Sequence, residues 1–251
     1  DNPDMTEFLK RTFEGYFKRI IIAGDGVEAL QLVRSHVPDI IVSDVMMPRM
    51  NGYKLCKTIK EDINISHIPV ILLTARDDRQ SQISGYKNGA DGYLSKPFEV
   101  EMLMELIRNR LKNREYTKKR YLNAGLIPTP EESTISLTDE TFLIKLNSII
   151  QENIENSNLG IQFICQEVGL GRSSLYNKLK ALTGMGANEY ISKLRIEKAI
   201  TLISGTDMPF SEIAEKTGFT TPSYFSTAFK QYTGETPSQY KERKKKGLAD
   251  K

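Results

Sequence analysis

The stretch DIIVSDVMMPRMNGYKL, Asp39 to Leu55, decides the fold. Ile40, Ile41 and Val42 form an unbroken apolar run, the signature of a strand buried on both faces of a parallel sheet. The run stops at a single carboxylate, Asp44, and enters a loop marked by Pro48 and the Asn51-Gly52 pair. Nothing basic lies beside Asp44 in the sequence. An acid at the mouth of a hydrophobic strand, with no adjacent counter-charge, needs a reason to be there.

Working outward, the first half of the chain alternates. An amphipathic helix near Pro3–Phe17 precedes a strand at Arg19–Ala23, and a helix at Val27–Ser35 leads to the strand ending at Asp44. Further on come a helix near Gly52–Glu61, a strand at Pro69–Thr74, a helix near Arg79–Asn88, a strand at Asp91–Ser95 and a helix from Glu99 to Leu111. Strands alternating with helices predict a doubly wound α/β sheet. Ligands of such sheets sit outside the carboxyl ends of the strands.

Those ends carry a chemical pattern. Asp44 ends one strand, Thr74 the next, and Lys96 follows the last, directly before Pro97. Asp1 opens a loop, DNPDM, that feeds the first helix. Two carboxylates and a backbone carbonyl suit Mg2+, a hard cation that takes oxygen ligands and keeps part of its water. A lysine and a hydroxyl nearby suit a phosphoryl group. The chemistry so expected is in-line transfer to the Asp44 carboxylate. A plainer reading makes Asp44 a helix cap, Thr74 a strand end and Lys96 a surface charge. It requires the same coincidence, in order, at four loops.

DIIVSDVMMPRMNGYKL, VILLTAR, GADGYLSKPF and the opening DNPDM together resemble the receiver domain of bacterial two-component response regulators. The resemblance implies a flavodoxin-like fold in which Asp44 is the phosphoacceptor. It further implies that Asp1, Asp44 and the backbone carbonyl of Met46 hold Mg2+, and that Thr74 and Lys96 contact the phosphoryl oxygens. Tyr93 matches the aromatic switch position, whose ring turns inward when Thr74 engages that group. In the family, a first strand and the first acid of a carboxylate pair precede the position of Asp1, and the sequence lacks them. That strand belongs mid-sheet, so its two neighbours are expected to show unpaired edges.

Residues 112–139 lack sustained periodicity and carry Pro128 and Pro130, as a linker does, its first part continuing the preceding helix. Beyond Asp139 the chain reads as all-helical and repeats itself. ICQEVGLGRSSLYNKLKALTG (Ile164–Gly184) is similar to IAEKTGFTTPSYFSTAFKQYTG (Ile213–Gly234), with Gly169 matching Gly218 and Lys180 matching Lys230. Each copy predicts a short helix, a turn at the glycine and a second helix, the helix-turn-helix pattern. One long helix, Asn188–Ile203, joins them. Two such units on a rigid connector would read successive major grooves about 34 Å apart.

The segment also resembles, over its whole length, the DNA-binding domain of AraC-family regulators. GLGRSSLYNKLKALTG, YISKLRIEKA and IAEKTGFTTPSYFSTAFKQYTGETPSQY carry that resemblance. Because the second helix of each unit enters the major groove, base contacts are expected from Arg172, Ser173, Tyr176 and Asn177 in the first unit. Thr221, Ser223, Tyr224 and Thr227 are their counterparts in the second. Lys178, Lys180 and Lys230 are expected on phosphates. Leu175, Leu179, Phe225 and Phe229, at helical spacing, are expected in the core.

Charge follows the same division. Residues 1–111 hold 15 basic and 16 acidic side chains, whereas residues 140–251 hold 15 and 12, with KERKKK near the end. A basic second half suits nucleic acid. No apolar run approaches the ~20 residues that span a bilayer, so a cytoplasmic location is the expectation. The two cysteines, Cys56 and Cys165, read as buried reduced thiols, and two isolated histidines offer no metal site.

The expectation is therefore a phosphorylation-regulated transcription factor: receiver 1–111, linker 112–139, DNA-binding domain 140–251. It is not an enzyme beyond catalysing transfer to its own Asp44. A histidine kinase donates the phosphoryl group, and phosphorylation favours a homodimer on DNA. The arrangement also looks like the C-terminal end of hybrid proteins, in which a membrane-bound sensor and kinase precede the receiver. A phosphoryl-accepting adaptor whose helical half binds protein is an alternative. An aspartate-nucleophile phosphatase ranks lower, since such enzymes place an acid two residues after the nucleophile and this chain has Met46 there.

Overall fold

A computed structural model describes residues 3–75, 89–123 and 136–249. Its first elements are α1 (Pro3–Phe13), α2 (Gly26–His36), β1 (Ile41–Asp44), α3 (Gly52–Glu61), β2 (Val70–Ala75), β3 (Gly92–Lys96) and α4 (Val100–Asn123). Then follow α5 (Leu137–Glu152), α6 (Ile161–Val168), α7 (Arg172–Thr183), α8 (Ala187–Gly205), α9 (Phe210–Lys216), α10 (Pro222–Thr233) and α11 (Pro237–Ala249). The described residues form two compact units: one of residues 3–75, 89–120 and 136–140, the other of 121–123 with 141–249.

In the first unit the strands run parallel in the order β1-β2-β3. Ile41 stands opposite Val70 and Asp44 opposite Leu73, while Thr74 stands opposite Ser95 and Ala75 opposite Lys96. Successive side chains of a strand face opposite sides, and β2 divides its residues accordingly. Val70 and Leu72 join Val33, Leu55, Cys56 and Ile59 from α2 and α3. Ile71 and Leu73 join Phe13 and the α4 residues Leu103, Met104 and Ile107. The sheet is thus covered on both faces. Burial pushes the Cys56 thiol up to about 12, so this cysteine stays a protonated core group.

Arg19–Ala23, expected as a strand, is irregular. A strand exists through its ladder of hydrogen bonds, and no strand among the described residues lies beside this segment. Its Ile21 and Ile22 are exposed, and among the described residues β1 is an edge that pairs only with β2. The first helix stops at Phe13 rather than Phe17, while α4 continues to Asn123. Residues 136–140 return to the first unit: the Thr138 hydroxyl donates to Lys60 O (2.8 Å) and Ser66 Oγ donates to Asp139 Oδ1 (2.7 Å). The helix expected near Arg79–Asn88 lies outside the described residues.

The second unit is helical. A row of rings, Phe219, Phe225, Phe229 and Tyr240, runs through one core with successive centroids 5.4, 5.7 and 5.6 Å apart. Ile196, Ala199 and Ile203 of α8 pack against it. Leu175 and Leu179 of α7 are buried, as their spacing requires. At 19 residues, α8 is about 28 Å long.

Candidate functional site

The sheet register brings Asp44, Thr74 and Lys96 to the carboxyl ends of three neighbouring strands. Asp44 is held on both oxygens. The Met46 N–H donates to Oδ1 at 3.2 Å, and the Lys96 ammonium pairs with Oδ2. Thr74 is fully buried, and its hydroxyl has no hydrogen-bond partner among the described residues. A buried hydroxyl left unpaired is costly. Beside a carboxylate and a lysine it fits a ligand that supplies acceptor oxygens. Thr74→Val keeps the shape and removes the unpaired group. It is expected to raise stability by about 1 kcal/mol while weakening any response to a phosphoryl mimic, checked by urea unfolding and mimic titration side by side.

Tyr93 is half-buried against the cluster of α2 and α3. Asp1 lies outside the described residues, and among those described no group of three metal-type side chains comes together. The remaining members of the expected set, Asp44 and the Met46 carbonyl, are hard oxygen donors of the kind Mg2+ takes.

Two helix-turn-helix units are present in the second half. In each, a glycine with φ of 73° or 72°, Gly169 or Gly218, makes the turn between helices. Arg172, Ser173, Tyr176 and Asn177 lie exposed on α7, with Tyr176 at 53%. Ser223, Tyr224 and Thr227 lie exposed on α10, with Tyr224 at 56%. Thr221 is exposed too, but its hydroxyl caps α10 by accepting the Tyr224 N–H at 3.1 Å. Lys180 and Lys230 are exposed. Lys178 is not: it is 0% exposed, with its ammonium 5.1 Å from the Phe142 ring centroid. It sits three residues after Leu175 and four before Leu182, on the apolar stripe, and cannot reach a phosphate from there.

Sequence reasoning passed over one charged pair near Asp44. Arg49 chelates Asp25, whose other oxygen caps α2 by accepting from Val27 N (2.8 Å) and Glu28 N (3.1 Å). Burial alone would raise the Asp25 carboxyl, but the guanidinium and the two amides hold it below the usual range.

Residues 1–108 match the response regulator receiver domain, and residues 164–243 match a helix-turn-helix domain. The chain is 40% identical over 243 residues to Histidine kinase P4 of Formosa agariphila, covering 97% of itself and 18% of that protein. It is 30% identical over 181 residues to the probable transcriptional regulator ycf29 of Pyropia yezoensis, covering 68% of itself and 82% of the relative. Among solved structures, the C-terminal domain of AraT, a response regulator from Geobacillus stearothermophilus, is similar at 31% identity and TM-score 0.39, over 41% of this chain and 84% of that one. The chain belongs to the response regulators, with a receiver domain followed by a helix-turn-helix domain. No helix among the described residues is long and apolar enough to cross a membrane.

Proposed function

We propose that this chain is a phosphorylation-controlled, sequence-specific DNA-binding regulator, with a receiver at 1–111, a linker at 112–139 and a DNA reader at 140–251. The observation that carries the proposal is the buried Thr74 hydroxyl, without a partner among the described residues, at the strand ends that also hold Asp44 and Lys96. An Asp44 oxygen forms a bond to phosphorus as the P–N bond of a phosphohistidine donor breaks. The electron pair returns to the imidazole, which takes a proton from water. Lys96 and Thr74 then turn to the phosphoryl oxygens, whose charge of about −1.5 to −2 replaces the single charge of the carboxylate and lies farther from the backbone. Asp44, the Met46 carbonyl and Asp1 are the residues for Mg2+, which would supply charge neutralisation during transfer. Repacking of Tyr93 shifts an existing equilibrium towards a homodimer on DNA. The donor is a kinase in trans or in the same longer chain. An adduct on the peptide containing Asp44, after incubation with a phosphorylated kinase, supports this reading; an adduct only elsewhere overturns it.

For the DNA half, the exposed faces of α7 and α10 support Arg172, Ser173, Tyr176, Asn177, Ser223, Tyr224 and Thr227 as base-facing residues, with Thr221 at the helix start. Neutralising one phosphate contact lowers the slope of log affinity against log salt by about one. Lys180→Met and Lys230→Met are each expected to do so, and Lys178→Met to leave the slope unchanged. Binding measured at several salt concentrations checks this, and equal slopes for all three would count against the assigned face.

A further inference from the structure

The loop between β1 and α3, Val45 to Asn51, follows the phosphoacceptor directly. Its start is bonded to the sheet, with Val45 N–H donating to Leu73 O (3.0 Å), and its Met46 N–H orients the Asp44 carboxylate. Its end closes on its start, where Gly52 N–H donates to Val45 O (2.9 Å). In the middle, Arg49 takes a φ of 58°, a left-handed conformation that costs a residue other than glycine about 1 kcal/mol. Something must hold it there.

The start of α2 does. Gly26 lies so close to the loop that a Cβ on it would collide with the Met50 carbonyl and lie 2.9 Å from Met50 Cβ. From the other side, Arg49 Nε donates to Asp25 Oδ2 at 2.7 Å, and a second guanidinium nitrogen bonds the same oxygen. Asp25 is itself held: it is 6% exposed, and Oδ1 accepts from two amides of α2. An exposed ion pair is ordinarily worth little. Here the carboxylate is buried and already fixed, so the arginine loses freedom only at its own end.

We propose that Arg49 is a positioning residue for phosphoryl acceptance: by gripping Asp25 it fixes the loop whose Met46 amide orients Asp44. This rests on the reading of Asp44 as the acceptor. Arg49 touches neither donor nor phosphoryl group and acts only through the loop. Its loss leaves the carboxylate chemically intact but less often aligned for in-line attack, which lowers the rate and not the affinity for the donor.

The test uses acetyl phosphate with Mg2+, where an Asp44 oxygen bonds to phosphorus as acetate leaves with the electron pair of the broken P–O bond. Adduct formation is followed by intact mass on the whole chain, and the maximal rate is separated from the donor KM. Arg49→Ala is expected to lower the maximal rate about tenfold at unchanged KM and unchanged thermal midpoint. Arg49→Lys should recover part of it. Asp25→Asn, which keeps an oxygen for the helix cap, should match Arg49→Ala, and the double variant should be no slower than either single. Faster amide exchange at Met46 in Arg49→Ala is expected alongside. An unchanged maximal rate in Arg49→Ala, or additive losses in the double variant, overturns the proposal and leaves Asp44 as acceptor. No adduct in the unsubstituted chain overturns the reading of Asp44 and the proposal with it.

Discussion

Asp44→Ala is expected to abolish phosphoryl acceptance while leaving unstimulated DNA affinity unchanged. The proposed acceptor is a specific oxygen atom with no substitute at that strand end, so the effect on transfer should be total. The cost to the fold is small. Lys96 loses its partner, but its side chain is 24% exposed and can turn its ammonium to water. Thr74 already has no partner among the described residues, so nothing further is stranded there. Separation of the two effects is the informative part: DNA affinity of the variant with and without a phosphodonor should be identical and equal to that of the unphosphorylated parent. A variant that loses DNA binding in both conditions would show that Asp44 supports the structure and not a switch.

The largest expected effect on stability belongs to Gly218. Its φ is 72°, and a Cβ there would run into the Ile154 carbonyl and lie 2.9 Å from Arg195 Nη2. The neighbours cannot easily yield, since that guanidinium donates to Asn156 O at 2.7 Å and stands 6.0 Å from the Phe219 ring. Left-handed strain and backbone overlap together should cost Gly218→Ala about 3 kcal/mol or more. Gly169, its counterpart in the first unit, has a nearly equal φ of 73° but open space where its Cβ would be. Gly169→Ala should therefore cost only the strain, about 1 kcal/mol. Urea unfolding followed by helix content separates the two. Equal costs would mean that backbone conformation alone governs both turns.

That pair shows what a repeat in sequence conveys and what it omits. Matching glycines announced two turns of one kind, because only the backbone requirement is written in the residue itself. The crowding at Gly218 comes from Ile154 and Arg195, 64 and 23 positions away, and no local pattern carries it. Asp44, Thr74 and Lys96 were legible because each lies at the carboxyl end of a strand or next to it, and parallel register brings strand ends together. Lys178 was misplaced by its charge although its spacing from Leu175 and Leu182 already set it on the buried stripe. Arg19–Ala23 has the composition of a strand, but composition does not supply the partner that makes one. The Arg49–Asp25 clasp left no signal at all: its two ends are 24 residues apart, and either alone reads as a surface charge.

Occupancy of the Asp44 site is expected to control DNA binding. The measurement that tests this most directly is capture of genomic DNA fragments by the whole chain, with and without beryllofluoride and Mg2+ as a mimic of the acyl phosphate. Selective enrichment of a defined set of fragments is expected, rising with the mimic and losing that rise in Asp44→Ala. Selective enrichment that is the same in all three conditions would contradict such control.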